Sequence, residues 1–167
     1  MTKAVQQTGI SAWLAARSLL WIVLLPGVVV AYIPWRFFGF GRVAMNLHDP
    51  VQLLGVALMG LGALLLLTCI WEFAEFGRGT LSPLDPPREL VVRGLYRYVR
   101  NPMYLSVAVI HVGEVLVARS TALLEYAVAW FLWVNVFVIG YEERALARSF
   151  GASYQQYKAS VGRWLPW

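Results

Sequence analysis

The chain has 167 residues, of which 59% are hydrophobic and 14% charged, with a mean hydropathy of +0.61 and a net charge of +5. The charged share is about half that of ordinary soluble domains, which argues against a water-soluble globular protein and for one integral membrane domain, residues 1–167, built as an all-α helical bundle. The single cysteine, Cys69 in an apolar run, excludes an internal disulfide and a cysteine-based zinc site, and no basic run with stacking aromatics resembles a nucleic-acid motif.

Four apolar segments follow in chain order. The first runs from about Ser18 to Trp35 and is broken by Pro26-Gly27. It is not preceded by a short apolar core with an A-x-A cleavage site, so no removable signal peptide is expected. A Gly-containing loop from Arg36 to Pro50 follows, and His48-Asp49-Pro50 reads as the N-terminal cap of the next helix. The second segment, Val51 to Trp71, contains no charge and has the roughly 20 residues that a bilayer core requires. Its Gly55, Gly60 and Gly62 are expected to let a neighbouring helix approach closely.

The long loop from Glu72 to Pro102 holds Pro83, Pro86 and Pro87, which end any helix and stiffen the connection. The third segment, Met103 to Val117, carries His111 and Glu114. The fourth, Ala122 to Tyr141, carries Glu125 and Asn135. Only Arg119-Ser120-Thr121 lies between them, so a tight antiparallel hairpin is expected. In the tail from Tyr141 to Lys158, the residues Leu146, Phe150, Tyr154 and Tyr157 recur at steps of three and four, which predicts an amphipathic helix at the membrane interface.

With about four spans, both termini and the long loop share a side. That side holds Lys3, Arg17, Arg78, Arg88, Arg93, Arg97, Arg100, Arg144, Arg148, Lys158 and Arg163, against Arg36, Arg42 and Arg119 on the other. The positive-inside rule places the termini and the loop in the cytoplasm, as in a multi-pass protein of a bacterial inner membrane.

The chemistry gathers at that edge. Pro102 sits where a helix would start, and helix N-termini carry unpaired N–H groups and partial positive charge. Arg100 and Asn101 beside it form a candidate site for a carboxylate or phosphate. Glu142 and Glu143 leave the last apolar helix side by side. Adjacent helical residues point about 100° apart, so one can enter a pocket while the other pairs with Arg144, Arg148 or solvent. An anion site and a carboxylate at one interface suit a zwitterion of amino-acid type, and S-adenosylmethionine is a candidate. His111 and Glu114, costly within a membrane, are read as lining a substrate cavity, with a mutual structural hydrogen bond as the alternative. No metal site is expected.

The order and spacing of Arg100-Asn101-Pro102-Met103-Tyr104, a helical hairpin, then Glu142-Glu143 with Leu146, Phe150-Gly151, Tyr154 and Tyr157 resemble the isoprenylcysteine carboxyl methyltransferases and their phospholipid methyltransferase relatives. The likeness covers about Arg88 to Pro166 and implies a catalytic and cofactor-binding half at 88–166. It implies S-adenosylmethionine as cofactor, with Arg88, Glu89, Leu90 and Val91 lining its pocket and Tyr96 packing on it. Asn101, Pro102, Met103 and Tyr104 would surround it, and Glu142, beside Glu143, would bind a polar group. Arg100, Asn101 and Glu142 are the implied catalytic residues, and His111 and Glu114 face the acceptor. Eukaryotic members usually carry His where Asn101 stands and Arg where Val138 stands. The acceptor expected is lipophilic: an isoprenylcysteine-type carboxylate, a phospholipid amine or a small thiol. A sterol-reductase-like enzyme using NADPH and a non-catalytic lipid-binding subunit are the alternatives.

Overall fold

The computed structural model describes residues 23–76 and 89–166. Lys3, Arg17, Arg78, Arg88 and the loop prolines Pro83, Pro86 and Pro87 lie outside the described residues, as does the start of the first apolar segment. The chain enters as a wide π-helical stretch, Val23–Tyr32, that contains Pro26 and continues into the short helix α1, Ile33–Phe37. Helix α2, Pro50–Phe76, is the longest uninterrupted α-helix among the described residues. A 3-10 turn, Gly94–Arg97, precedes α3, Pro102–Ala118. Helix α4, Thr121–Phe137, passes through a π turn, Val138–Glu142, into α5, Glu143–Ser160. No strand occurs among the described residues; Val99 and Gly162 form an isolated parallel bridge.

Local chemistry sets each boundary. Asp49, the expected cap, accepts hydrogen bonds from the N–H groups of Val51 (3.0 Å) and Gln52 (3.4 Å) at the start of α2. Pro102 opens α3 at a position whose N–H would lack a helical partner anyway. Arg119 closes α3 in the left-handed region (φ 49°), and Ser120 caps α4 by accepting from the N–H of Leu123 (3.3 Å). The expected tight hairpin is therefore present. Arg119 also bonds both oxygens of Asp49, at 2.9 and 2.6 Å, which ties the hairpin turn to the cap of α2.

Helices α2 and α3 pack along a glycine seam. A Cβ on Gly113 would lie 2.5 Å from the Gly55 carbonyl oxygen and 2.6 Å from Met59 Cγ, and one on Gly62 would lie 2.8 Å from the Ser106 carbonyl oxygen. The expectation for Gly60 fails: it faces open space, because it lies about 140° around the helix from Gly55 whereas Gly62 lies about 20° away. Leu66, Ile70, Val107 and Ile110 form the buried core of the seam. Gln52, on the same side of α2, donates to the carbonyl of Val117 (3.1 Å) at the far end of α3.

The outward faces remain apolar. Leu54, Leu64 and Leu67 on α2, with Leu132, Trp133 and Val136 on α4, are exposed. Two helices are long and apolar enough to cross a bilayer, Pro50–Glu72 and the continuous run Thr121–Ser160, with α3 as a shorter apolar partner. Only 28% and 17% of their apolar windows are buried, unlike the core helix of a soluble protein. The fold is that of an integral membrane protein. A 40-residue helix would measure about 60 Å, twice the hydrocarbon thickness, so one crossing does not need the whole run, whose less apolar part lies past Tyr141. There the chain turns polar and bends at Gly151, whose φ of 52° is non-helical. The expected face of Leu146, Phe150, Tyr154 and Tyr157 does form a cluster, packed against Leu90 and Val161.

Candidate active site

The end of the bundle at which α3 begins and α4 leaves gathers the polar residues. Glu142 and Glu143 occupy opposite electrostatic situations, as their 100° offset permits. Glu142 accepts a 3.0 Å hydrogen bond from the Tyr104 hydroxyl, and no cation among the described residues pairs with it. Burial pushes its carboxyl above the ordinary range; the Tyr104 hydrogen bond lowers it and the neighbouring Glu143 charge raises it further.

Glu143 turns into a cluster of cations. Its Oε1 accepts from Arg100 (2.9 Å) and Arg163 Nε (2.7 Å), and its Oε2 from Lys158 Nζ (3.0 Å). Burial opposes ionisation here too, but the hydrogen bonds from Arg163 and Lys158 and the Arg100 charge prevail and hold the carboxyl at about 2. The partners differ from those expected, since Arg144 and Arg148 are not among them. Nothing periodic links Glu143 to residues 15 and 20 positions later; only the bend at Gly151 and the return of the tail bring them together.

Arg100 is correspondingly engaged. Beside Glu143 it donates to the Val161 carbonyl (3.0 Å) and, more weakly, to the Tyr154 hydroxyl (3.4 Å), and its side chain is only 6% exposed. Its backbone N–H bonds the Gly162 carbonyl (2.8 Å). The geometry makes Arg100 the anchor of the tail, with its guanidinium spent on internal partners rather than held open at the start of α3. Asn101, 8% exposed, donates to the Arg163 carbonyl (3.3 Å) instead of capping its own helix.

The tail from Val161 to Pro166 thus runs back beside residues 99–101. Trp164 extends across the helix ends: its indole N–H bonds Asn135 Oδ1 (2.8 Å) on α4, and its ring meets Tyr104 edge-on (centroids 6.4 Å apart) and Phe131 at a tilt (5.2 Å). Trp164 and Asn135 escaped the sequence reading as a pair; the one available signal was a polar residue inside the fourth apolar segment.

The remaining expected cofactor residues surround the 94–97 turn. Tyr96 and Val91 are buried against Cys69 of α2, with Met103 packed beside them, while Leu90 joins the Tyr154 cluster and Glu89 is exposed. The Tyr96 carbonyl accepts from the Tyr157 hydroxyl at 2.6 Å. Burial raises the Tyr96 phenol well above its ordinary pKa, and the charges of Glu142 and Glu72 add to the shift. Pro102 is buried at the start of α3, two residues before Tyr104. Arg88 lies outside the described residues.

His111 and Glu114 are both 1% exposed and bond each other (Nδ1 to Oε2, 2.7 Å). The His111 ring lies edge-on to Tyr126 and Trp130 of α4, with centroids 5.2 and 5.1 Å away. His111 Nε2 and Glu114 Oε1 are shielded from solvent and have no hydrogen-bond partner. The mutual hydrogen bond weighed as an alternative is therefore made, and it leaves one polar atom on each residue for a further group. Among the described residues no group of three or more His, Cys, Asp or Glu side chains could hold a metal ion.

Comparison with known proteins bears on this end of the bundle. The pattern of the phospholipid methyltransferase family matches residues 51–153, which include α2, α3, α4 and both glutamates. The chain is also similar to methanethiol S-methyltransferase 1 of Bradyrhizobium diazoefficiens, at 33% identity over 155 residues, covering 87% of this chain and 53% of that protein. The chain thus spans about half the length of the curated relative it matches.

Proposed function

This chain belongs to the phospholipid methyltransferase family, and we propose on that basis that it transfers a methyl group from S-adenosylmethionine to a lipophilic acceptor at the membrane surface. The observation that carries the reading is the split glutamate pair. Glu143 is neutralised by three cations, whereas Glu142 meets a neutral phenol and has no cation partner among the described residues, which leaves it open to a ligand. A carboxylate in that state fits the hydroxyls or the cationic half of S-adenosylmethionine, so the residues present suit the cofactor. Asn101, Pro102, Met103 and Tyr104 at the start of α3, with Val91, Tyr96 and Glu142, would hold it. Residues 88–166 form the catalytic half of one membrane domain.

When bound, S-adenosylmethionine supplies an electrophilic methyl group on a sulfonium sulfur. The chain's task is alignment and exclusion of water. Tyr104 fixes the Glu142 carboxylate, while Arg100 and Glu143 fix the tail whose Trp164 packs against Tyr104. Asn101 can orient a ligand by hydrogen bonding but cannot carry a proton away.

The acceptor enters sideways from the bilayer, since the helices beside Tyr104 present apolar flanks, and the cofactor enters from the cytoplasm, where the cation asymmetry puts this end of four spans. The relative named for methanethiol favours a small thiol over a phospholipid amine or an isoprenylcysteine carboxylate. Family membership favours the methyltransferase reading over the reductase and the non-catalytic subunit.

The test is ligand-dependent thermal stability of the purified protein in nanodiscs, followed by transfer of labelled methyl to a lipophilic thiol, an isoprenylcysteine and phosphatidylethanolamine. Stabilisation by S-adenosylmethionine and S-adenosylhomocysteine, with methylated thiol as main product, is expected. Glu142→Ala should weaken cofactor binding by about 1–3 kcal/mol. Stabilisation by NADPH alone would overturn the proposal.

A further inference from the structure

Glu72, at the end of the apolar run of α2, is a carboxylate that the site described above does not use. Its Oε2 is closed off from solvent and has no hydrogen-bond partner. The carboxylate occupies the space above Gly94, so that any side chain at position 94 would collide with it. Gly94 is also in the left-handed region, with φ of 47°. The positive φ favours glycine at position 94, and the missing Cβ leaves room for the Glu72 carboxylate against the backbone of the 94–97 turn.

That turn carries Tyr96. Tyr96 shares one buried cluster with Val91 and with Cys69, one helical turn before Glu72. Glu72 and Glu142 both act electrostatically on the Tyr96 phenol. The two carboxylates thus bear on the same buried phenol, Glu72 from α2 and Glu142 from the end of α4. The cations Arg100, Lys158 and Arg163 are committed to Glu143, and Arg119 to Asp49.

A shielded carboxylate oxygen with no donor is costly. The group that relieves it best is a compact cation with several N–H donors, which describes a primary ammonium. We propose that Glu72 is a further binding residue of this site and that its carboxylate receives the α-ammonium of the methionine half of S-adenosylmethionine. The assignment rests on the proposed function. It extends the site beyond residues 88–166 to α2, which would then contribute one ligand contact as well as packing.

Three ligands separate the possibilities. S-adenosylmethionine carries an ammonium and a sulfonium, S-adenosylhomocysteine an ammonium and a neutral sulfur, and 5′-methylthioadenosine neither charge. Their affinities are measured by calorimetry on wild-type protein and Glu72→Gln in nanodiscs. Glu72→Gln should weaken the first two by the same factor, roughly 10- to 100-fold, and leave the third unchanged. Loss confined to S-adenosylmethionine would assign Glu72 to the sulfonium and overturn the ammonium contact. Equal loss for all three would mark a packing role and overturn it too, as would no loss at all. If Glu72→Gln fails to fold, Glu72→Asp, which withdraws the charge by one methylene, carries the same comparison: a smaller loss shared by the first two ligands alone supports the contact, and any other pattern overturns it. Failure of wild-type protein to bind S-adenosylmethionine would instead refute the proposed function, so the two failures are distinguishable.

Discussion

Glu142 and Glu143 show how one covalent step along a helix separates two identical side chains. The expectation that one would enter a pocket and the other meet cations was available from the helical period. The identity of the cations was not, because Lys158 and Arg163 reach Glu143 only after the chain bends at Gly151. The contrast predicts opposite effects on the unliganded protein. Glu143→Gln leaves Arg100 buried without its counter-charge and should lower unfolding stability by about 3–5 kcal/mol. Glu142→Gln removes a charge that burial disfavours and should raise stability at neutral pH. The pH dependence follows from the sign of each shift. The Glu143 carboxyl stands at about 2 in the fold against 4.5 ordinarily, so its stabilisation is complete above the ordinary value and is lost as pH falls toward 2. The Glu142 carboxyl is raised, so the fold holds its proton more tightly and this glutamate favours folding as pH falls. Thermal unfolding of the two variants between pH 3 and 8 checks both slopes: Glu143→Gln should lose less stability on acidification than wild type, and Glu142→Gln should lose more.

At the scale of elements, the pairing of α2 with α3 depends on where glycine occurs around the helix. Gly55 and Gly62 face α3 and Gly60 does not, a division that the helical period contains although the residue type alone does not. Gly113→Ala should cost about 1–3 kcal/mol, since its Cβ would meet the Gly55 backbone, which cannot yield as a side-chain tip does. Gly60→Ala should be neutral or stabilising by up to about 1 kcal/mol. Unfolding in mixed detergent micelles, with both variants side by side, measures the difference. Equal costs would remove the seam as a close-packed contact. The helix segments themselves were legible from apolar run length, with Asp49 and Pro102 marking the starts of α2 and α3; the Ser120 cap of α4 emerges only in the fold. The π turn at Val138–Glu142 was not legible, because no residue in VIGYE announces a wider turn.

For the whole molecule, the tail closes what the helices leave open. The Val99–Gly162 bridge, the Asn101–Arg163 bond and the Trp164–Asn135 bond join the start of α3, the end of α4 and the tail. Such contacts, about 30 to 60 residues apart in sequence, carry no local signature. Trp164→Ala should leave helical content unchanged while weakening S-adenosylmethionine binding by about 1–2 kcal/mol through lost packing on Tyr104 and Phe131. Calorimetry with circular dichroism checks this pair of outcomes. The topology has a separate check. In a Cys69→Ser background, a cysteine at position 47, in the loop before α2, should be labelled from the face opposite to one at position 148. Labelling of both from the same face would overturn the proposed arrangement of spans.

The hydrogen-bonded His111 and Glu114 also constrain how the protein is made. Helix α3 has 17 residues, fewer than the roughly 20 of an ordinary span, and it carries both side chains in its middle turns. Presented to the insertion machinery alone, it would be a poor candidate for the lipid phase, since an ionisable residue near a helix centre costs about 2.5–3.5 kcal/mol on insertion scales. Helix α4 supplies the aromatic cover of Tyr126 and Trp130 after a connection of two residues. The two helices should therefore partition as one hairpin, with α3 held back until α4 emerges. In a glycosylation-mapping assay, α3 alone should insert inefficiently, and α3 with α4 should insert well. His111→Leu with Glu114→Leu should free α3 from that dependence, and efficient insertion of wild-type α3 by itself would show that biogenesis does not wait for its partner.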